Sequence, residues 1–179
     1  MDIKQAADID LAIVVNITHE TIKGIYPRYY PKGAVDFFLA HHSAENIKCD
    51  ILLGNIFLLT VDGASVGTVT INNNEICRLF VLPEQQGKGY GKALLEYSEK
   101  EISQISTRIC LDASLPAKKI YLGYGYREIE SHAILTENGD YLCYDVMKKQ
   151  RISQAENKRY GDNSNLMPKN SFQYHSKKT

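Results

Sequence analysis

Between Gln86 and Lys92, three glycines (Gly87, Gly89 and Gly91) alternate with Lys88, Tyr90 and Lys92. An apolar strand-like run, RLFVLPEQ, precedes them and a helix-like run, KALLEYSEKE, follows. Glycine lets main chain approach a ligand with no Cβ in the way. The first turn of a helix leaves N–H groups without acceptors and carries partial positive charge. A strand, a glycine-rich turn and a helix start therefore make an anion site, for which phosphate is the usual guest. The ordinary alternative is a strand–turn–helix whose glycines serve packing.

The spacing excludes two common phosphate loops. No Gly-Lys pair is followed by Ser or Thr as GxxxxGK[ST] requires, and counting GxGxxG from Gly87 puts Lys92 at the sixth position. What fits is Q-x-x-G-x-G, running from Gln86 through Gly91. With its flanking strand and helix, this segment resembles the pyrophosphate loop of the GNAT family, the GCN5-related N-acyltransferases that use acetyl-CoA. A second block, LDASLPAKKIYLGYGYRE, resembles that family's next strand and helix, with Ala117, Tyr121, Gly125 and Tyr126 matching its A-x-x-x-Y-x-x-x-G-F/Y run. The resemblance spans about residues 3–147.

The resemblance implies an α/β (α+β) fold: a mixed, mostly antiparallel central sheet flanked by helices, in the order β-α-α-β-β-β-α-β-α-β-β. It also implies roles. Backbone of Leu79, Phe80 and Val81 would pair with the pantetheine arm and form part of the oxyanion site. Gln86, Gly87, Lys88, Gly89, Tyr90, Gly91 and Lys92 would hold the pyrophosphate. Ser114, where the family often has Asn, and Ala117 would complete the coenzyme site. Tyr121 matches the tyrosine near the coenzyme sulfur, where a phenol can protonate a leaving thiolate; its alternative is packing, the role assigned to Tyr124 and Tyr126. Glu75 is either a base at the acceptor site or a solvent-facing residue at a strand start. Tyr26, Tyr29 and Tyr30 either bind the acceptor or pack on one another.

The elements that must position these residues are readable along the chain. Residues 2–5 form a first strand. Asp8 N-caps a helix carrying Ile9, Ala12, Ile13, Ile17 and Ile22 at helical spacing. A second helix covers about Gly33 to His42, and residues 46–53 are a candidate short helix ending at Gly54. Residues 56–61 and 65–71 read as a hairpin about Asp62-Gly63. A strand over Glu75–Leu82 leads to the glycine loop, and a long helix runs from Gly89 to about Ser106. Residues 108–113 are a strand, Pro116–Gly123 a helix with proline in its first turn. Strands over 127–135 and 141–148 are joined through Glu137-Asn138-Gly139. His19, His41 and His42 are isolated. Adjacent His41 and His42 cannot share a helix face, so no metal site follows, and both read as helix-end residues favoured by the dipole.

Composition sets the class. The 179 residues suit one domain and are 44% hydrophobic. No apolar run reaches the length of about 18 residues that spans a membrane, and the first ten residues lack a signal-like apolar region. Cys49, Cys77, Cys110 and Cys143 are widely spaced, which reads as buried free thiols in a reducing, cytoplasmic setting rather than a metal cluster or disulfide framework. Residues 1–147 hold 13 basic and 19 acidic side chains, whereas 148–179 hold 8 basic and 2 acidic. The acidic body either favours cationic acceptors or is a solvated surface partly neutralised by the tail. A domain over 1–148 and a basic, polar extension over 149–179 follow. The extension is either a free tail or packs on the body or a second subunit, so a homodimer stays open.

The function implied is N-acetyltransfer from acetyl-CoA, as cosubstrate, to a primary amine of a small molecule or protein, by direct transfer in a ternary complex and without a metal. An acyl-CoA-binding sensor that does not turn over is the alternative, since a fold does not fix function. Nucleic-acid association through the tail is disfavoured by the acidic body.

Overall fold

A computed structural model describes residues 1–150; the expected extension, apart from its first two residues, lies outside the described residues. Seven strands and five helices follow the order β1 (Asp2–Gln5), α1 (Leu11–Ile25), α2 (Lys32–His41), α3 (Ala44–Leu52), β2 (Ile56–Val61), β3 (Ala64–Asn72), β4 (Glu75–Val81), α4 (Tyr90–Ile102), β5 (Arg108–Ser114), α5 (Leu115–Gly123), β6 (Arg127–Leu135), β7 (Tyr141–Gln150). The strands make one sheet in the order β1-β2-β3-β4-β5-β7-β6. Every pairing is antiparallel except β4 with β5. This is the mixed, mostly antiparallel sheet the sequence implies, with α3 added to the expected order. Ser43 caps α3, its Oγ accepting from the Asn46 N–H at 3.3 Å, and Gly54 follows at φ +75°.

The central strands of the sheet are buried on both faces. Alternation along β2 sends Leu58 into a core with Val14, Ile17 and Ile47, and Leu59 into a second core with Leu94, Leu95 and Ile109. Gly67 is where α4 comes closest to β3: a Cβ there would lie 2.9 Å from Leu94 Cδ1 and 3.1 Å from the Phe80 carbonyl oxygen. The Asp62-Gly63 turn has positive φ at both residues, +50° and +81°, the primed turn that Asp-Gly favours. At Glu137-Asn138-Gly139 only Gly139 is left-handed, at φ +87°, making a three-residue loop closed by the Thr136 N–H to Asp140 C=O bond of 2.8 Å.

Three local expectations are corrected. Asp8 does not cap α1: the Asp10 carboxylate reaches back to the Ala7 N–H at 3.0 Å, so a single 3-10 turn over Asp8–Asp10 precedes the helix. Helix α4 stops at Ile102, its last buried residue, and the Ser103 hydroxyl donates to the Lys100 carbonyl at 2.6 Å instead of continuing the helix. The four thiols are free, but Cys49, Cys77 and Cys143 are exposed and Cys110 is only partly covered, because their positions fall on open faces of the elements that hold them. Among the described residues no helix is long and apolar enough to cross a membrane.

Candidate active site

The site begins where β4 and β5 part. They pair only at Glu75 with Cys110 and Ile76 with Leu111. Beyond that point β4 stays with β3 as far as Val81, and β5 stays with β7 as far as Ser114. The facing edges of the two central strands are left without a ladder. A bulge in β4, where the register against β3 shifts between Thr70 and Ile71, reverses the side-chain alternation. It sends Ile76 into the core under α4 and Phe80 into the core under α1 and α2.

Register decides which backbone groups face the opening. The Leu82 N–H donates to the Val66 carbonyl at 3.0 Å, so the bonded pairs two and four residues back are Phe80 with Thr68 and Arg78 with Thr70. Phe80 therefore spends its backbone groups on β3, while those of Leu79 and Val81 face the opening. The Val81 carbonyl accepts from Gln86 Nε2 at 2.9 Å and from Thr21 Oγ1 at 3.1 Å. Leu79 N–H and C=O and Val81 N–H are the groups left for a ligand strand.

The glycine loop hangs from this strand end. Gln86 serves it through the bond to Val81, which clamps the loop onto β4. Gly87 and Gly89 sit at φ +76° and +87°, where a side chain is strained, and a Cβ on either would project into open space. Gly89 is the N-cap of α4 and offers no side-chain cap, and the first intrahelical bond comes from the Ala93 N–H to the Gly89 carbonyl at 3.0 Å. The N–H groups of Tyr90, Gly91 and Lys92 thus have no acceptor within the helix. Lys88 Nζ lies 2.8 Å from Gln85 Oε1 and Lys92 Nζ 3.7 Å from Glu96, both on the surface.

Helix α5 forms the opposite wall. It starts after Ser114, with Pro116 in its first turn. Its Leu115 N–H donates to the Tyr30 hydroxyl at 2.7 Å, and Lys118 bridges Asp145 of β7 at 2.9 Å and Glu128 of β6 at 2.6 Å. So anchored, α5 places Tyr121 in the wall, 9% exposed, with its ring edge-on to Tyr126 at 5.6 Å. Burial pushes the Tyr121 phenol well above its ordinary value, so it is a proton donor at neutral pH. Tyr26 and Tyr30 are buried and pack on Phe38, whereas Tyr29 is exposed at the rim.

A cavity of about 960 Å³ joins the parts: Leu79, Gly87, Gly89, Ser114, Ala117 and Tyr121 line it, and so does Glu75. Glu75 is half-buried, and its carboxyl is raised above the ordinary range by desolvation and then by Asp112. Asp112 is raised too, by desolvation, with His132 opposing.

Sequence reasoning missed one cluster on this cavity. Arg78, 8% exposed on its side chain, donates from Nε to His42 Nδ1 at 3.0 Å, contacts Asp50 through Nη1, and lies 3.3 Å from Thr70 Oγ1. His42 stands at the helix end as the sequence implies, as the C-cap of α2, but the charge state of its ring is set by burial and Arg78 rather than by the helix dipole. Desolvation first, then the Arg78 charge, lowers its pKa to about 3, so the ring is neutral. In sequence the cluster is marked only by Arg78, a cation inside the otherwise apolar run 76–81.

A family model described as an acetyltransferase (GNAT) domain matches residues 25–140. No curated protein matches the chain. Among solved structures, a GCN5-related N-acetyltransferase from Rhodopseudomonas palustris is similar at TM-score 0.75 and 21% identity, covering 83% of this chain and 94% of that one. The PaiA N-acetyltransferase of Thermoplasma acidophilum, solved with coenzyme A, is similar at 0.65 and 21%, covering 83% and 98%. The putative acetyltransferase YncA of Salmonella typhimurium, solved with acetyl-CoA, is similar at 0.59 and 19%, covering 86% and 95%.

Proposed function

The chain belongs to the GNAT acetyltransferase family, and from that premise we propose that it moves an acetyl group from acetyl-CoA to a primary amine of a small molecule or protein, directly and in a ternary complex. The observation that carries this reading is the parting of β4 from β5. It leaves an unpaired strand edge leading from an uncapped helix start at one end to a half-buried carboxylate at the other. Acetyl-CoA supplies the acetyl group as a thioester.

The residues suit that cosubstrate. The Tyr90, Gly91 and Lys92 amides, with Gly87 and Gly89 leaving open space before them, match a diphosphate. Lys88 and Lys92 add positive charge. Leu79 and Val81 offer backbone to an amide-bearing arm, as an added strand would find it, and the Leu79 and Val81 N–H groups are the backbone donors left to meet the oxyanion that develops on the acetyl carbonyl. Phe80 contributes its ring to the wall, and Ser114 and Ala117 flank the arm.

Glu75 takes a proton from the ammonium of the acceptor, leaving a lone pair free to attack. The new C–N bond forms as the C–S bond breaks, Tyr121 gives its hydroxyl proton to the departing sulfur, and the second proton of the nitrogen passes to the phenolate, which restores Tyr121 and leaves a neutral amide and a free thiol. The test is an acceptor screen with acetyl-CoA that reads free thiol. Release dependent on an amine supports transfer. Tight acetyl-CoA binding without release across the panel contradicts it.

A further inference from the structure

His42 is the C-cap that follows α2, is 6% exposed, and lines the cavity. An arginine Nε–H can only donate, so the His42 Nδ1 facing it at 3.0 Å must present a lone pair. A neutral imidazole then carries its proton on Nε2. The tautomer is locked, because Arg78 is itself held by Asp50 and Thr70. Ring rotation is opposed by Phe38, stacked at 6.5 Å, and Phe80, edge-on at 5.6 Å. No described residue accepts a hydrogen bond from Nε2, yet that nitrogen is not among the polar atoms sealed from solvent without a partner. His42 lines the cavity, and Nε2 is the ring nitrogen that Arg78 leaves free. The result is a rigid N–H donor with no acceptor of its own, beside the strand that carries Glu75.

We propose that His42 determines acceptor specificity: its Nε2–H receives a neutral carbonyl or hydroxyl oxygen that the acceptor carries close to its amine. A buried donor left without a partner disfavours acceptors lacking that oxygen. Glu75 meets the amine, and Tyr29 and Phe37 at the rim meet an apolar or aromatic body. The proposal rests on the acyl-transfer reading and refines its substrate class to amines bearing such an oxygen. His42 serves as a donor and not as the base, since its one lone pair is occupied by Arg78.

Phenylalaninamide and 2-phenylethylamine differ only in the carboxamide and test the proposal as acceptors. With kcat/KM referred to the unprotonated amine, because the carboxamide lowers the basicity of the nitrogen beside it, the wild type should favour the amide by roughly tenfold, the worth of about one hydrogen bond. His42→Phe, which keeps a ring between Phe38 and Phe80, should bring the ratio near one. His42→Gln, whose amide can donate from the position of Nε2, should restore it. A wild-type ratio near one, or a ratio that survives in His42→Phe, overturns the proposal. A second readout does not depend on turnover. In ¹⁵N-histidine spectra of the CoA-loaded protein, the His42 Nε2 resonance should move on adding phenylalaninamide and stay with 2-phenylethylamine. A resonance that ignores both overturns the role of His42 even where free thiol is released. If neither amine releases thiol, transfer to these amines fails, and the spectra alone decide His42.

Discussion

The Tyr30 hydroxyl accepts a hydrogen bond from the Leu115 N–H at 2.7 Å and donates one to the Cys143 carbonyl at 2.9 Å. One phenol in the loop between α1 and α2 thereby fixes the first residue of α5 against β7. Because α5 carries Tyr121, this bond links a residue of the amino-terminal half to the proposed proton donor.

Tyr30→Phe tests that link. The ring stays packed, but a partly buried N–H and a carbonyl lose their partner, at a cost of about 1 kcal/mol. Chemical denaturation should show this loss of stability. Turnover should fall as well, because α5 loses an anchor. Unchanged stability would remove Tyr30 from the support of the site.

Tyr121→Phe tests the proton donor itself. General acid catalysis contributes roughly 10²–10⁴-fold, and a loss near the lower end is expected, since water can substitute. Coenzyme affinity and melting temperature should barely change, because the ring contact with Tyr126 is kept. Near-normal turnover where chemistry limits the rate would leave Tyr121 a packing residue.

The pH profile tests Glu75. Its carboxyl is raised by desolvation and by Asp112, so the unprotonated base appears only above the ordinary carboxylate range. The acid limb of kcat/KM should lie correspondingly high. Asp112→Asn removes the repulsion but not the desolvation, so the limb should move to lower pH. Glu75→Gln should abolish the limb along with most of the turnover. The raised value also has a stability sign. Relative to the unfolded chain it favours the folded state with Glu75 protonated, and that contribution is lost as pH rises through the folded value. A limb unmoved by Asp112→Asn would place the base elsewhere.

How much the sequence disclosed depended on whether the signal was local. The primed turn at Asp62-Gly63, the loop glycines and the bounds of β1, β2 and β6 are set by residues close in the chain, and these were readable. Helix α4 is shorter than its apolar pattern implies because it ends where the hydroxyl of Ser103 takes the Lys100 carbonyl. The division of labour in β4 was hidden because it follows from the bulge opposite Thr70 and Ile71, which turns the Phe80 backbone to β3 and leaves Leu79 and Val81 to the opening. The helix-end position of His42 was readable, but the state of its ring was not, because that is set by Arg78, 36 residues away. Nothing near it in the chain announces a guanidinium in contact with one ring nitrogen. Exposure of the thiols was misjudged for a similar reason: strand membership is local, but which face is covered depends on the helices that pack there.

Acetyl-CoA bound at the Gly87–Lys92 loop should stabilise the folded protein, and thermal unfolding with and without the ligand measures that. A ligand bound only by the folded protein adds about 2.7 kcal/mol at a hundredfold excess over Kd, so the melting temperature should climb with the logarithm of acetyl-CoA concentration. In Gly89→Asp the climb should vanish, because a side chain is forced into left-handed backbone and a negative charge is set before the Tyr90, Gly91 and Lys92 amides. Wild-type protein with no shift at millimolar acetyl-CoA, or a Gly89→Asp variant whose melting temperature climbs as the wild type does, would contradict the account.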